Sequence, residues 1–117
     1  MFKNVTVFET QEALKGDGAV LVDVRTKKEW QETGLADAWE VYASTVVTTP
    51  DMELNPAFVK DLLANVDTTK KVYFICRSGK RSQIACALAQ QNRYTDVYNV
   101  DGGMLAWMDA DLLLKKA

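Results

Sequence analysis

The side chain in this sequence best suited to nucleophilic chemistry is Cys76. It follows the apolar run Val72-Tyr73-Phe74-Ile75 and opens the segment Cys76-Arg77-Ser78-Gly79-Lys80-Arg81-Ser82. Such a run reads as a strand buried on both faces. The cysteine then stands at the carboxyl end of a central strand, the edge at which open α/β sheets bind ligands. Gly79 lets the backbone curl, and the helix expected next presents its amino end toward the sulfur. Unpaired N–H groups and the helix dipole there favour a thiolate, or an anion held on it. Arg77, Lys80 and Arg81 add three positive charges within five positions. The thiolate is the nucleophilic form of cysteine. A strand-end cysteine is often only a small buried hydrophobe, but Gly79, the basic neighbours and the helix start argue for a chemical role.

The chain has no histidine, which removes the commonest general base and the commonest zinc ligand. Cys–His catalysis is excluded, and two cysteines make neither a four-ligand zinc site nor a disulfide scaffold. The second cysteine, Cys86, falls about six residues into the expected helix, so its Cα lies roughly 9 Å along the axis from the loop. A disulfide needs Cα atoms within about 7 Å. Cys86 is therefore read as core.

The elements that must position Cys76 follow from the pattern around it. Short β-branched runs alternate with helical stretches, the signature of an α/β fold with a largely parallel sheet. Strands are expected over Val5–Phe8, Ala19–Val24, Trp39–Tyr42, Val72–Ile75 and Val97–Val100. Thr26-Lys27-Lys28-Glu29 fits a capping box opening a helix that runs to about Thr33 and stops at Gly34. Asn55-Pro56 supplies a cap and a first-turn proline to a helix with Phe58, Val59, Leu62 and Leu63 on one face. Further helices are expected from Lys80 to about Gln91 and from Gly103 through Leu105, Trp107 and Met108. The stretch Ala43–Leu54 is the longest irregular one. The tail Leu112-Leu113-Leu114-Lys115-Lys116 can pack on the domain or on a second copy, and the sequence does not choose.

At 117 residues, with 48% apolar and 26% charged residues, the chain fits one soluble globular domain over 1–117. A net charge of −2 with mixed signs carries no nucleic-acid footprint. The amino terminus lacks a signal-peptide pattern, and no window approaches the ~20 apolar residues of a membrane helix. The expected compartment is the cytosol.

Three segments resemble the rhodanese family in order and spacing. Cys76-Arg77-Ser78-Gly79-Lys80-Arg81-Ser82 is similar to its active-site loop. Leu21-Val22-Asp23-Val24-Arg25 with Glu29-Trp30 is similar to its amino-terminal signature, and Asp101-Gly102-Gly103-Met104-Leu105-Ala106-Trp107 to its carboxyl-terminal motif. The resemblance spans residues 21 to 107. It implies a rhodanese-like domain with a central five-stranded, mostly parallel sheet flanked by helices. It also implies a sulfurtransferase that carries sulfane sulfur as a Cys76 persulfide. The implied donor is a small anion such as thiosulfate, or a persulfide-donor protein, and the acceptor is a thiol or cyanide. No cofactor or metal is implied, and neither nucleic acid nor membrane is an expected partner.

In this resemblance the amides and side chains of Arg77, Ser78, Gly79, Lys80, Arg81 and Ser82 hold the persulfide and attract the donor. Asp23 and Arg25 form an ion pair at a strand end that can also order the site. Sulfurtransferases of the fold have six residues from the cysteine through the end of the loop, as here. Related cell-cycle phosphatases and arsenate reductases have one more, so oxyanion chemistry is the less favoured alternative, beside a sulfur-carrier module with little turnover. Many members have a glycine-histidine and a proline-glycine-alanine turn where this chain reads Thr33-Gly34-Leu35-Ala36-Asp37-Ala38.

Overall fold

The computed structural model describes residues 2–48 and 51–117. In chain order the elements are β1 (Lys3–Val5), α1 (Val7–Ala13), β2 (Ala19–Asp23), α2 (Lys27–Thr33), β3 (Leu35–Ala36), β4 (Val41–Ala43) and β5 (Val47–Thr48). There follow β6 (Glu53–Leu54), α3 (Phe58–Asn65), β7 (Lys71–Ile75), α4 (Lys80–Gln90), β8 (Val97–Val100), α5 (Gly103–Asp109) and β9 (Leu114–Lys115). The central sheet has five strands in the order β1-β8-β7-β2-β4, and every pairing in it is parallel. No described helix is long and apolar enough to cross a membrane.

Alternation along the inner strands sorts the core into two layers. Val20, Val22 and Val24 of the β2 segment, with Val72 and Phe74 of β7, pack with Phe58 and Leu62 of α3 and Ala85, Cys86 and Ala89 of α4. Ala19, Leu21, Tyr73 and Ile75 face the other way, onto Val7 of α1 and Met104 and Trp107 of α5. Helices α4 and α5 thus follow the neighbouring strands β7 and β8 on opposite faces. Their amino ends meet beside Cys76, where the connections diverge.

Three expectations change. The strand expected over Val5–Phe8 is instead β1, ending at Val5, and the first turn of α1. Thr6 caps that helix by accepting from the Glu9 N–H at 3.0 Å, and Glu9 returns the bond to the Thr6 N–H. Thr6-Val7-Phe8-Glu9 is a second capping box, which the β-branched run Val5-Thr6-Val7 concealed. The strand expected from Trp39 begins at Val41, and Trp39 is 90% exposed. The helix expected from Asn55 is preceded by a turn in which Asn55 accepts from Ala57 and Phe58, and α3 proper starts at Phe58. Phe58 and Leu62 of its anticipated face are buried, whereas Leu63 is exposed.

The stretch Ala43–Leu54 closes a small antiparallel pair, Val47 opposite Leu54, and its residues 49–50 lie outside the described ones. The tail packs on its own chain: β9 pairs with β3, and the Trp107 indole N–H donates to the Leu113 carbonyl at 3.0 Å.

Candidate active site

Cys76 directly follows the central strand β7 and is buried, 1% exposed, although Arg77 and Ser78 after it are exposed. Gly79 follows at φ +101°, a left-handed conformation that costs glycine little, and it caps α4. That turn brings the Gly79 N–H to donate to Cys76 Sγ at 3.1 Å. One helical turn on, the Ser82 hydroxyl lies 3.3 Å from the same sulfur. The sulfur thus sits at the amino end of an 11-residue helix with a backbone donor and a hydroxyl against it. The amide contact favours negative charge on sulfur, and the hydroxyl contact does so only when its proton is turned to the sulfur.

The other side of the loop is shaped by α5. The Met104 N–H donates to the Cys76 carbonyl at 2.7 Å and the Leu105 N–H to the Arg77 carbonyl at 3.0 Å. Because a trans peptide points its N–H opposite its C=O, these bonds turn the Arg77 and Ser78 N–H groups away from α5. The approach is possible only because residue 103 is glycine. A Cβ there would lie 2.3 Å from the Cys76 carbonyl oxygen and 2.6 Å from that of Arg77. The helix start expected at Gly103 is therefore also a contact with the cysteine loop.

Asn99 completes the surroundings and was not among the sequence candidates. It lies buried in β8, where its Oδ1 accepts from the Ser82 hydroxyl. Its Nδ2 donates to Asn4 Oδ1 at 3.0 Å and to the Gly79 carbonyl at 3.4 Å. A hydroxyl has one proton to give. When Ser82 donates to Asn99 it can only accept from a Cys76 thiol; rotated toward the sulfur, it supports a thiolate. The one sequence signal was a polar residue inside the otherwise apolar strand Val97–Val100.

A model of the rhodanese-like domain matches residues 6–110 of the chain. The chain belongs to the rhodanese-like domain family. It is 32% identical over 99 residues to the thiosulfate sulfurtransferase GlpE of Pseudomonas savastanoi pv. phaseolicola, covering 85% of this chain and 81% of that protein. Among solved structures it resembles Rv0390 from M. tuberculosis, with a TM-score of 0.79 and 32% identity over 88% of this chain and 80% of that one. A rhodanese-like domain protein from Staphylococcus aureus superposes with a TM-score of 0.72 at 25% identity, covering 98% of this chain and all of the other.

Within this rhodanese-like loop the basic residues do not act alike. Arg77 and Lys80 are exposed, and no salt bridge engages them among the described residues. Arg81, expected to be a third cation facing an anionic donor, is held elsewhere. Its two terminal nitrogens donate to the two carboxylate oxygens of Glu29 at 2.6 and 2.9 Å. Glu29 is also the capping-box residue of α2, accepting from the Thr26 N–H. The Arg81 guanidinium is the main reason that its carboxyl is held down at about 2; burial opposes this, and the Thr26 bond assists. The pairing joins residues 52 positions apart in sequence.

Asp23 and Arg25 form a buried pair at 2.8 Å. The same guanidinium donates to Thr33 Oγ1 at 2.7 Å and the Gly34 carbonyl at 2.8 Å, and the Trp30 indole donates to Asp23 at 3.0 Å. The pair staples the end of β2 to α2, and none of its side-chain hydrogen bonds reaches the loop. Arg25 does share with Arg77, Glu29 and Met104 the wall of a cavity of about 90 Å³ beside the loop. Cys86 is buried against the sheet, and burial pushes its thiol up to about 12. It carries no thiolate at neutral pH.

Proposed function

We propose that the chain is a sulfurtransferase that relays one sulfane sulfur through a persulfide on Cys76. The observation that carries this reading is the sulfur itself: a free cysteine at the end of the central strand, with the Gly79 N–H donating to it and the Ser82 hydroxyl oxygen 3.3 Å away. Membership of the rhodanese-like family and the similarity to a thiosulfate sulfurtransferase support it.

In the first half-reaction the Cys76 thiolate attacks the outer sulfur of a donor such as thiosulfate. A new S–S bond forms, the donor's S–S bond breaks, and its electron pair leaves with sulfite. In the second, cyanide or a thiolate attacks the terminal sulfur, forms thiocyanate or a new persulfide, and returns the Cys76 thiolate. Negative charge stays on sulfur near the loop throughout. Preorganised amide dipoles stabilise such charge without reorganising. Neither half-reaction requires a histidine to move a proton. Arg77 and Lys80 are the cations left to draw an anionic donor, which can equally be a protein persulfide. A relay on a free thiol suits a reducing compartment, and we assign the chain to the cytosol on that chemistry.

Intact-protein mass spectrometry after incubation with thiosulfate tests this. Wild type should gain about 32 Da, one sulfur atom, reversibly with cyanide, and Cys76→Ser should not. Equal gain in both proteins would remove Cys76 from the reaction.

A further inference from the structure

The pairing of Arg81 with Glu29 bears on which donors the loop accepts. Arg81 closes the six-residue segment that begins at Cys76, and a guanidinium is the side chain best shaped to grip a tetrahedral oxyanion with two parallel bonds. Here both of those bonds are taken by Glu29, at 2.6 and 2.9 Å. The pair is largely shielded, with the side chains 16% and 24% exposed, and Glu29 is fixed on α2 by its capping bonds to Thr26. The carboxylate therefore neutralises the arginine and holds it in place.

We infer that Glu29 is a specificity-determining residue, which by occupying Arg81 biases the Cys76 loop away from dianionic oxyanions and toward donors that offer a single persulfide sulfur. This rests on the sulfur-relay reading and narrows its donor class. A persulfide needs only the backbone cradle of Gly79 and the hydroxyl of Ser82. Thiosulfate and inorganic phosphate, both tetrahedral dianions, would gain most from a free Arg81. The clamp also keeps cellular phosphate from settling on the loop.

The test is a four-protein cycle of wild type, Glu29→Gln, Arg81→Ala and the double variant. Gln keeps the capping-box hydrogen bonds while removing the charge. The first readout is the phosphate concentration that half-protects Cys76 from iodoacetamide at fixed ionic strength, which requires no sulfur transfer. Releasing one cation beside the loop should lower that concentration about five-fold in Glu29→Gln, with the gain shrinking in ~1 M salt. Arg81→Ala, which leaves Glu29 unpaired, should raise it, and the double variant should return to within about two-fold of wild type. A pair with a merely structural role would lower melting temperatures without these opposite shifts.

The second readout is Cys76 loading. The thiosulfate concentration for half-loading should fall about five-fold in Glu29→Gln, whereas loading by cysteine persulfide, a weaker anion, should change by about two-fold or less. An unchanged phosphate midpoint in Glu29→Gln, or a gain that persists in the double variant, would overturn the clamp. If Glu29→Gln does not fold, Arg81→Lys keeps the charge but cannot form the two-pronged pair, and it should shift the phosphate midpoint in the same direction. Failure of every variant to load sulfur, with the phosphate cycle intact, would overturn the relay and leave the clamp standing. A flat phosphate cycle with normal loading would do the reverse.

Discussion

Replacing Gly103 with alanine isolates what α5 does for the cysteine loop. The added Cβ would stand 2.3 Å from the Cys76 carbonyl oxygen and 2.6 Å from that of Arg77, so backbone, not a pliable side chain, must give way. The residue has φ +56°, where alanine costs about 1 kcal/mol more than glycine. Moving the loop by the ~1 Å needed to relieve the overlap weakens the Met104 and Leu105 hydrogen bonds at 2.7 and 3.0 Å, at about 1 kcal/mol each. The sum is about 3 kcal/mol. With an unfolding entropy of about 2 cal/mol/K per residue, that lowers the melting temperature by roughly 12 °C. A domain with an ordinary stability of about 5–15 kcal/mol stays folded at 25 °C.

Reactivity should fall further than stability alone requires, because the Arg77 and Ser78 N–H groups lose their orientation. We expect alkylation of Cys76 and its loading by thiosulfate to slow at least about tenfold at 25 °C, where the variant is folded. Gly102→Ala is the control. It is also at positive φ, +75°, but its Cβ would meet the Ala106 side chain at 2.7 Å and not the cysteine loop. It should lose stability and keep reactivity within about threefold. Melting by circular dichroism and peptide-resolved alkylation rates decide the matter. A Gly103→Ala protein that melts early yet reacts at the wild-type rate would refute the claim that α5 shapes the cradle. Equal loss of reactivity in both variants would refute it as well.

The remaining predictions concern groups around the sulfur. Cys86→Ser should keep Cys76 loading within about twofold while losing about 1–2 kcal/mol in urea unfolding, since it buries a hydroxyl in an apolar layer. Asn99→Ala should speed loading about threefold, because Ser82, freed from its acceptor, can turn its proton to the sulfur. Asn99→Asp should slow it more at pH 8 than at pH 5, because a carboxylate set beside the sulfur opposes a thiolate. A pH-independent defect in Asn99→Asp would assign Asn99 to packing alone. The Glu29–Arg81 pair also fixes a stability-versus-pH sign. Glu29 has a folded value of about 2 against an ordinary 4.5, so its contribution is full above pH 4.5 and is lost as pH falls toward 2. After allowance for solvent screening, the loss is about 1–2 kcal/mol. Glu29→Gln should therefore lose less stability than wild type between pH 6 and pH 2.5 in thermal melts.

The features legible in the sequence were those whose cause is local. The apolar run before Cys76 marked the central strand, Gly79 marked the turn and the start of α4, and Thr26 with Glu29 marked the capping box of α2. Periodicity alone placed β2, β7 and β8. Even a local signal can be lost when two overlap, as when the β-branched run Val5-Thr6-Val7 hid the capping box that opens α1.

What only the tertiary structure decided lies between residues far apart in the chain. Asn99 reaches Ser82 across 17 positions because β8 runs alongside β7, and no residue type announces that meeting. Gly103 reads as a helix entry until the Cys76 carbonyl is found where its Cβ would be. Arg81 counts as a free cation in the sequence, where charge is summed by proximity along the chain. In the fold it faces Glu29 from a helix that follows another strand. Charge, unlike backbone propensity, acts through space, so its role at Cys76 is set by the packing of α2 beside α4.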